Sequence, residues 1–156
     1  IAAIKRIIPD CAISTDIITG FCGETDEEHN ETVSLMKEVG YDFAYMFKYS
    51  ERPKTLAERK FKDDVPDDVK GKRLEEIIAL QLESSAASHK NQVGKIAKVL
   101  VEGPSKRSEE HFCGRDGRNS MVVFPKGTAK KGDYVLVKIT DCTSATLIGE
   151  LVNHVN

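Results

Sequence analysis

The chain has 156 residues, 31% of them charged and 40% hydrophobic, with a formal net charge of −2. That balance describes a soluble globular protein rather than a disordered one. No apolar run is long enough to span a bilayer and no charged-then-apolar leader opens the chain, so neither a membrane partner nor secretion is indicated and the cytoplasm is expected.

Ile1, Ile4, Ile7 and Ile8 form an apolar pattern that ends at Pro9, which reads as the tail of a helix. A β-branched run follows, predicting a strand over residues 11–19, with its centre, residues 13–18, buried on both faces. Gly20 and Gly23 allow a sharp turn or a close approach to a ligand. Thr25 and Glu28 have capping-box spacing and start a helix at Asp26 that Gly40 stops. A second strand spans residues 41–49, with Phe43, Tyr45, Phe47 and Tyr49 on one face and Ala44, Met46 and Lys48 on the other. The aromatic face is expected to be core. Strand, helix and strand together imply a parallel sheet with a crossover helix, a piece of a larger barrel or doubly wound sheet.

In parallel α/β folds ligands sit at the carboxyl ends of the strands, where two loops would converge here: residues 20–24 and residues 50–55. Arg52, beside the rigid Pro53, could hold a carboxylate or phosphate there, or could simply be solvent-exposed. Residues 56–65 are charged and irregular. Pro66, Asp67 and Asp68 then open a long helix running to about Asn91, with Leu74, Ile77, Ile78, Gln81 and Leu82 as its apolar stripe.

The charge divides unevenly. Residues 1–92 carry 13 Lys and Arg against 18 Asp and Glu, whereas residues 93–156 carry 10 against 7. The pattern changes at the same place, predicting a boundary near Gln92-Val93-Gly94. Five short strands follow, over residues 96–101, 112–115, 121–124, 134–139 and 146–151. Gly103-Pro104, Gly117, Lys126-Gly127 and Lys131-Gly132-Asp133 separate them as turns. Five strands in so short a stretch suggest a small closed barrel. Lys106, Arg107, Arg115, Arg118, Lys126, Lys130 and Lys131 lie in or beside its loops and would suit RNA phosphates, or a merely solvated surface. Cys11, Cys22, Cys113 and Cys142 are scattered without a C-x-x-C pair and read as reduced thiols; His111 and Cys113, the nearest His/Cys pair, read as structural.

Two stretches carry a resemblance: Ser14-Thr15-Asp16-Ile17-Ile18-Thr19-Gly20-Phe21-Cys22-Gly23-Glu24-Thr25, and Tyr45-Met46-Phe47-Lys48-Tyr49-Ser50-Glu51-Arg52-Pro53. Both resemble the radical-SAM methylthiotransferases, best the MiaB type that modifies tRNA adenosine next to the anticodon. Val101-Glu102-Gly103-Pro104-Ser105-Lys106-Arg107, Gly114-Arg115, Val122-Val123-Phe124 and Gly132-Asp133 resemble that family's TRAM domain. The resemblance implies an α/β segment ending a TIM-like radical-SAM barrel (residues 1–65), a connecting helix (66–92) and an OB-like, all-β TRAM barrel that binds RNA (93–156). It implies an intact enzyme that uses S-adenosylmethionine and two 4Fe-4S clusters to methylthiolate C2 of N6-isopentenyladenosine in the anticodon stem-loop of tRNA.

By the same resemblance Asp16, Ile18, Gly20, Phe47, Tyr49 and Arg52 would line the S-adenosylmethionine site. Lys106, Arg107, Arg115 and Arg118 would meet tRNA. Cys22 stands where the wider family commonly has proline. No residue here is assigned to catalysis or to a metal, since neither set of cluster cysteines is present, and the segment alone would be inactive and hold no cofactor. Two alternatives stay open: a non-catalytic RNA-binding module, and a sister methylthiotransferase acting on ribosomal protein or another tRNA base.

Overall fold

The computed structural model describes residues 1–152, so the last four residues of the predicted barrel domain lie outside the described residues. These residues form two compact units, one of residues 13–84 and one of residues 2–12 with residues 85 onward.

In the first unit β1 (Ser14–Thr19) and β2 (Phe43–Lys48) pair in parallel, joined through α2 (Asp26–Val39). Both limits of α2 follow from its caps. The Thr25 hydroxyl accepts the Glu28 N–H at 3.2 Å while the Glu28 carboxylate accepts the Thr25 N–H at 2.9 Å, and Gly40 closes the helix in the left-handed region. The two strands are shorter than their β-rich sequences. The reason is Asp42: its carboxylate accepts the Ile13 N–H at 2.8 Å and its own N–H returns to the Ile13 carbonyl at 2.9 Å, which ends the ladder one residue before β1 and β2 begin.

Ile17 packs with Val33 and Met36 of α2 and with Ile77 of α4 (Asp67–Lys90), and Tyr41, Met46 and Leu80 border this cluster. The sheet is therefore covered on one face only. Ile18 is 55% exposed, Tyr45 57% and Phe47 54%, which corrects both the strand expected to be buried on two faces and the aromatic face expected to be core. Alternation along β2 is as predicted, but Ala44 and Met46, not the rings, face the helices. The apolar stripe of α4 is also shifted. Ile77 and Gln81 are buried, Ile78 and Leu82 are exposed, and the inward line continues through Lys70 and Arg73. A hydrophobic pattern could not reveal a helix face half made of buried cations. Finally, residues 56–65 are not wholly irregular: α3 (Leu56–Lys60) starts where the Thr55 hydroxyl accepts the Glu58 N–H.

The second unit holds α1 (Ala2–Ile7), the last turn and a half of α4 and five strands: β3 (Ile96–Ser105), β4 (Ser108–Asp116), β5 (Met121–Pro125), β6 (Tyr134–Cys142) and β7 (Leu147–Leu151). They close into a barrel in the order β3-β4-β5-β7-β6, with β5 and β7 parallel and the other pairs antiparallel, a five-stranded barrel with Greek-key character. Gly103-Pro104 is not a turn. It lies inside β3 where the register with β4 jumps between Val101 and Gly103, and Gly103 takes a φ of 147°, so the pair forms a bulge that coils the strand and the turn falls at residues 106–107. Val99, Val101, Phe112, Val122, Phe124, Val137, Ile139 and Leu147 fill the interior. Among the described residues no helix is long and apolar enough to cross a membrane.

Closure on so small a radius needs bare backbone at two points. A Cβ on Gly114 would sit 2.1 Å from the Leu100 carbonyl oxygen, and one on Gly149 would sit 2.4 Å from that of Lys138. Neither obstacle is a side chain that could swing aside. Gly114→Ala and Gly149→Ala should each lower the stability of the barrel by about 1–3 kcal/mol or more in urea titrations followed by circular dichroism. Gly117→Ala, with open space around it, should unfold at nearly the wild-type midpoint.

Candidate functional site

The carboxyl edge of β1 and β2 is organised by one side chain. Arg73, only 8% exposed, donates from Nη1 to the Glu24 carboxylate at 2.7 Å and to the Glu24 carbonyl at 3.0 Å, and from Nη2 to Asp26 at 2.7 Å. Burial opposes the guanidinium charge, but the bonds from Asp26 and Glu24 outweigh it and hold its pKa above the ordinary arginine value. The same Glu24 oxygen accepts the Gly20 N–H at 2.6 Å. A chain of charge-assisted bonds thus runs from α4 through Glu24 to the first residue after β1 and sets the path of the glycine loop.

Gly20 has a φ of 71°, and a Cβ there would lie 2.3 Å from Lys70 Cγ, so both conformation and packing require glycine. Lys70 is itself buried. Its ammonium donates to Asp63 at 2.5 Å and sits 5.2 Å from the centroid of the Tyr49 ring. Tyr49 stacks edge-on against Phe21 at 5.0 Å, Phe21 meets Phe61 at 6.1 Å, and the Gly23 N–H donates to Asp64 at 2.7 Å. The segment after α3 is thereby tied to the glycine loop. The Cys22 side chain beside it, burial and the nearby charges of Glu51 and Asp63 push the pKa of the Tyr49 phenol up to about 12.

Beside this edge lies the uncovered face of the sheet. The parallel register sets Asp16 next to Tyr45 and Ile18 next to Phe47. Asp16, Ile18 and Phe47 therefore share one exposed face, whereas Gly20 and Tyr49 lie against Lys70 of α4 at the edge. Arg52 is exposed in the following loop, where its carbonyl accepts the Thr55 N–H and hydroxyl. Arg73, Glu24, Lys70 and Asp63 were not singled out from sequence. A buried arginine on a long helix looks like any solvated helix charge until the fold turns it inward.

In the barrel the four predicted cations fall into two groups. Lys106 and Arg107 form the β3–β4 turn and are exposed, whereas Arg115 and Arg118 flank the β4–β5 turn at the far end of β4. Arg115 Nη1 donates to the Asn119 carbonyl at 2.8 Å and its Nε lies 3.4 Å from Glu102, while Arg118 Nη1 donates to the Asp10 carbonyl at 2.6 Å. Their turn is built by Asp116, whose carboxylate accepts the N–H groups of Arg118 and Ser120. His111 and Cys113 serve the β3–β4 hairpin, bonding to the Ser108 hydroxyl and the Pro104 carbonyl.

Two consequences can be measured. Arg73→Met should cost about 3–5 kcal/mol in urea unfolding because it strands the nearly buried Glu24 carboxylate. Asp26→Asn, at an 85% exposed partner, should cost no more than about 1 kcal/mol. In an alkaline titration at 295 nm, a tyrosine step should appear at about pH 12 that Tyr49→Phe removes and Cys22→Ala moves to lower pH. An unfolded tyrosine ionises near pH 10. Between about pH 10 and 12 the folded state thus binds the proton more tightly than the unfolded chain, and stability should fall as the pH rises through that window.

Known proteins extend this picture. Residues 90–152 match the TRAM domain family. The chain is 56% identical, over 97% of its length, to the tRNA-2-methylthio-N(6)-dimethylallyladenosine synthase of Bacteroides thetaiotaomicron, and 56% identical over 96% to that of Chloroherpeton thalassium. It is 53% identical over 97% to that of Porphyromonas gingivalis. Each alignment covers 33% of the relative, so the chain spans about a third of the length of the curated relatives it matches. Residues 90–152 thus carry a TRAM domain, and nearly the whole chain is similar to a stretch of these synthases about a third of their length.

Proposed function

We propose that the chain is the C-terminal part of a cytoplasmic enzyme that methylthiolates C2 of N6-isopentenyladenosine next to the anticodon of tRNA by radical S-adenosylmethionine chemistry. In this reading residues 1–65 end the radical-SAM barrel, residues 66–92 connect, and residues 93–156 bind the anticodon stem-loop. The observation that carries it is the identity of more than half of the residues, over nearly the whole chain, to synthases named for that product. The uncovered β1–β2 face supports the cofactor assignment: a strand pair that packs helices on one side leaves Ile18 and Phe47 in register and half exposed on the other.

That surface fits an adenine ring. Ile18 and Phe47 would hold one face of it, Asp16 and Tyr45 lie two pairs further down the ladder for polar contact, and the Gly20 turn borders the site. S-adenosylmethionine, when bound, supplies the radical that begins hydrogen abstraction. The chain's own work is binding and orientation. Arg73 and Glu24 fix the glycine loop, Tyr49 and Phe21 wall its far side, and Arg52 stands in the exposed loop beyond. Iron–sulfur clusters do not fit the residues present, since among the described residues no three His, Cys, Asp or Glu side chains come together to hold a metal. They are assigned to the part of the longer relatives that this chain does not span, and the chain alone is expected to be inactive.

The test uses a protein of the relatives' full length containing this chain. Ile18→Asp and Phe47→Ala alter exposed side chains, so folding should persist. S-adenosylmethionine affinity should drop at least tenfold while tRNA affinity holds. Unchanged cofactor affinity in both variants would remove this face from the cofactor site.

A further inference from the structure

Barrel strands alternate inward and outward, and outward positions facing water are ordinarily polar. One sheet face of this barrel departs from that. On β3 the outward positions are Ile96, Lys98 and Leu100; on β6 they are Tyr134, Leu136 and Lys138. The antiparallel register pairs Leu100 with Tyr134, Lys98 with Leu136 and Ile96 with Lys138, and Leu100 pairs with Arg115 of β4 on its other side. Tyr134 is 63% exposed and Ile96 58%. The Lys98 ammonium lies 4.7 Å from the centroid of the Tyr134 ring. Ile96, Lys98, Leu100 and Tyr134 of this face line a groove of about 680 Å³ with Lys95 and Arg118, and Leu136 and Lys138 lie outside it.

Each cross-strand row thus combines an apolar or aromatic side chain with a cation. Protein–protein interface cores are depleted in lysine, which argues against a protein as the occupant. A stretched single strand of nucleic acid wants both elements: a ring face on which a base stacks, and cations at strand spacing for the phosphates that follow. Of the three acids lining the groove, Glu102 is paired with Arg115 and the Asp116 carboxylate is spent on turn amides, which leaves Asp10 as one carboxylate among the cations Lys95, Lys98 and Arg118.

We propose that the β3–β6 face is a stacking platform for single-stranded RNA, with Tyr134 carrying a base and Lys98, Lys138 and Arg115 contacting the flanking phosphates. This rests on the reading of the barrel as a tRNA-binding domain and deepens it. Recognition is placed on a sheet face of the barrel, so the exposed turn cations Lys106 and Arg107 become accessory. It also calls for RNA that is locally unpaired, such as a loop, rather than a duplex stem.

The experiment titrates the 156-residue chain against a fluorescent single-stranded oligoribonucleotide of roughly 12 nucleotides, within the span one such barrel covers. Tyr134→Ala should weaken binding about 5- to 100-fold, as loss of one stacked base does, without changing the salt dependence. Tyr134→Phe, which keeps the ring, should bind within about twofold of wild type. Lys98→Ala should flatten the log–log salt slope by about 0.7, one single-strand phosphate contact. Wild-type affinity in Tyr134→Ala, or equal losses in the Ala and Phe variants, would overturn the platform while leaving RNA binding by the barrel intact. A wild-type chain that binds no RNA would overturn both. Self-association relieved by Tyr134→Ala, with RNA affinity unmoved, would assign the face to a protein contact and overturn the proposal.

Discussion

The first unit depends on the fork of Arg73. One guanidinium, buried on a helix that sequence alone would leave in solvent, ties α4 to the loop that follows β1. Because it is buried it must be paired, and because it is planar it can hold the Glu24 carboxylate and carbonyl together. Glu24 then orders the Gly20 amide. Without this constraint the loop would keep only the Gly23 bond to Asp64 and the ring contacts of Phe21 to fix its path. With it, the carboxyl edge of the sheet is preorganised, the condition a binding edge must meet to hold a ligand without a large ordering cost.

The two units reach order by different means. The barrel is a closed apolar interior in which every strand has two neighbours, and its tightest points are glycines against backbone carbonyls. The first unit has a small apolar cluster on one side of a two-stranded sheet, and much of its definition comes from ion pairs and ring contacts at one edge. Each leaves one unusual surface. In the first unit it is the Ile18–Phe47 face; in the second it is the row of Tyr134, Leu100 and Arg115. In both, apolar side chains stand out of the core.

Local signals were the legible ones. Thr25 with Glu28, Gly40, and Asp67 with Asp68 mark helix ends because capping is decided within a few residues. Five barrel strands were legible from alternation, although Gly103-Pro104 misled as a turn because a bulge uses the same residues. Burial was harder to read. Alternation in β2 says that Phe43, Tyr45 and Phe47 share a face, but which face is covered depends on where α2 and α4 pack. The part played by Arg73 depends on Glu24 and Asp26, 49 and 47 positions away, and that of Lys70 in part on Tyr49, well outside any local window of sequence. Likewise Arg115 and Arg118 look equivalent to Lys106 and Arg107 in sequence, yet the length of β4 separates the pairs.

Arg73 and Glu24 together hold the glycine loop in one conformation. Amide hydrogen exchange at Gly20 tests it most directly, since that N–H is committed to the Glu24 carboxylate. In the wild-type chain the Gly20 amide should exchange as slowly as the interior amides of β1, and in Arg73→Lys, where the fork is lost, it should exchange far faster while the strand amides keep their protection. A Gly20 amide that already exchanges at the rate of an open loop, or that is indifferent to Arg73→Lys, would contradict the account.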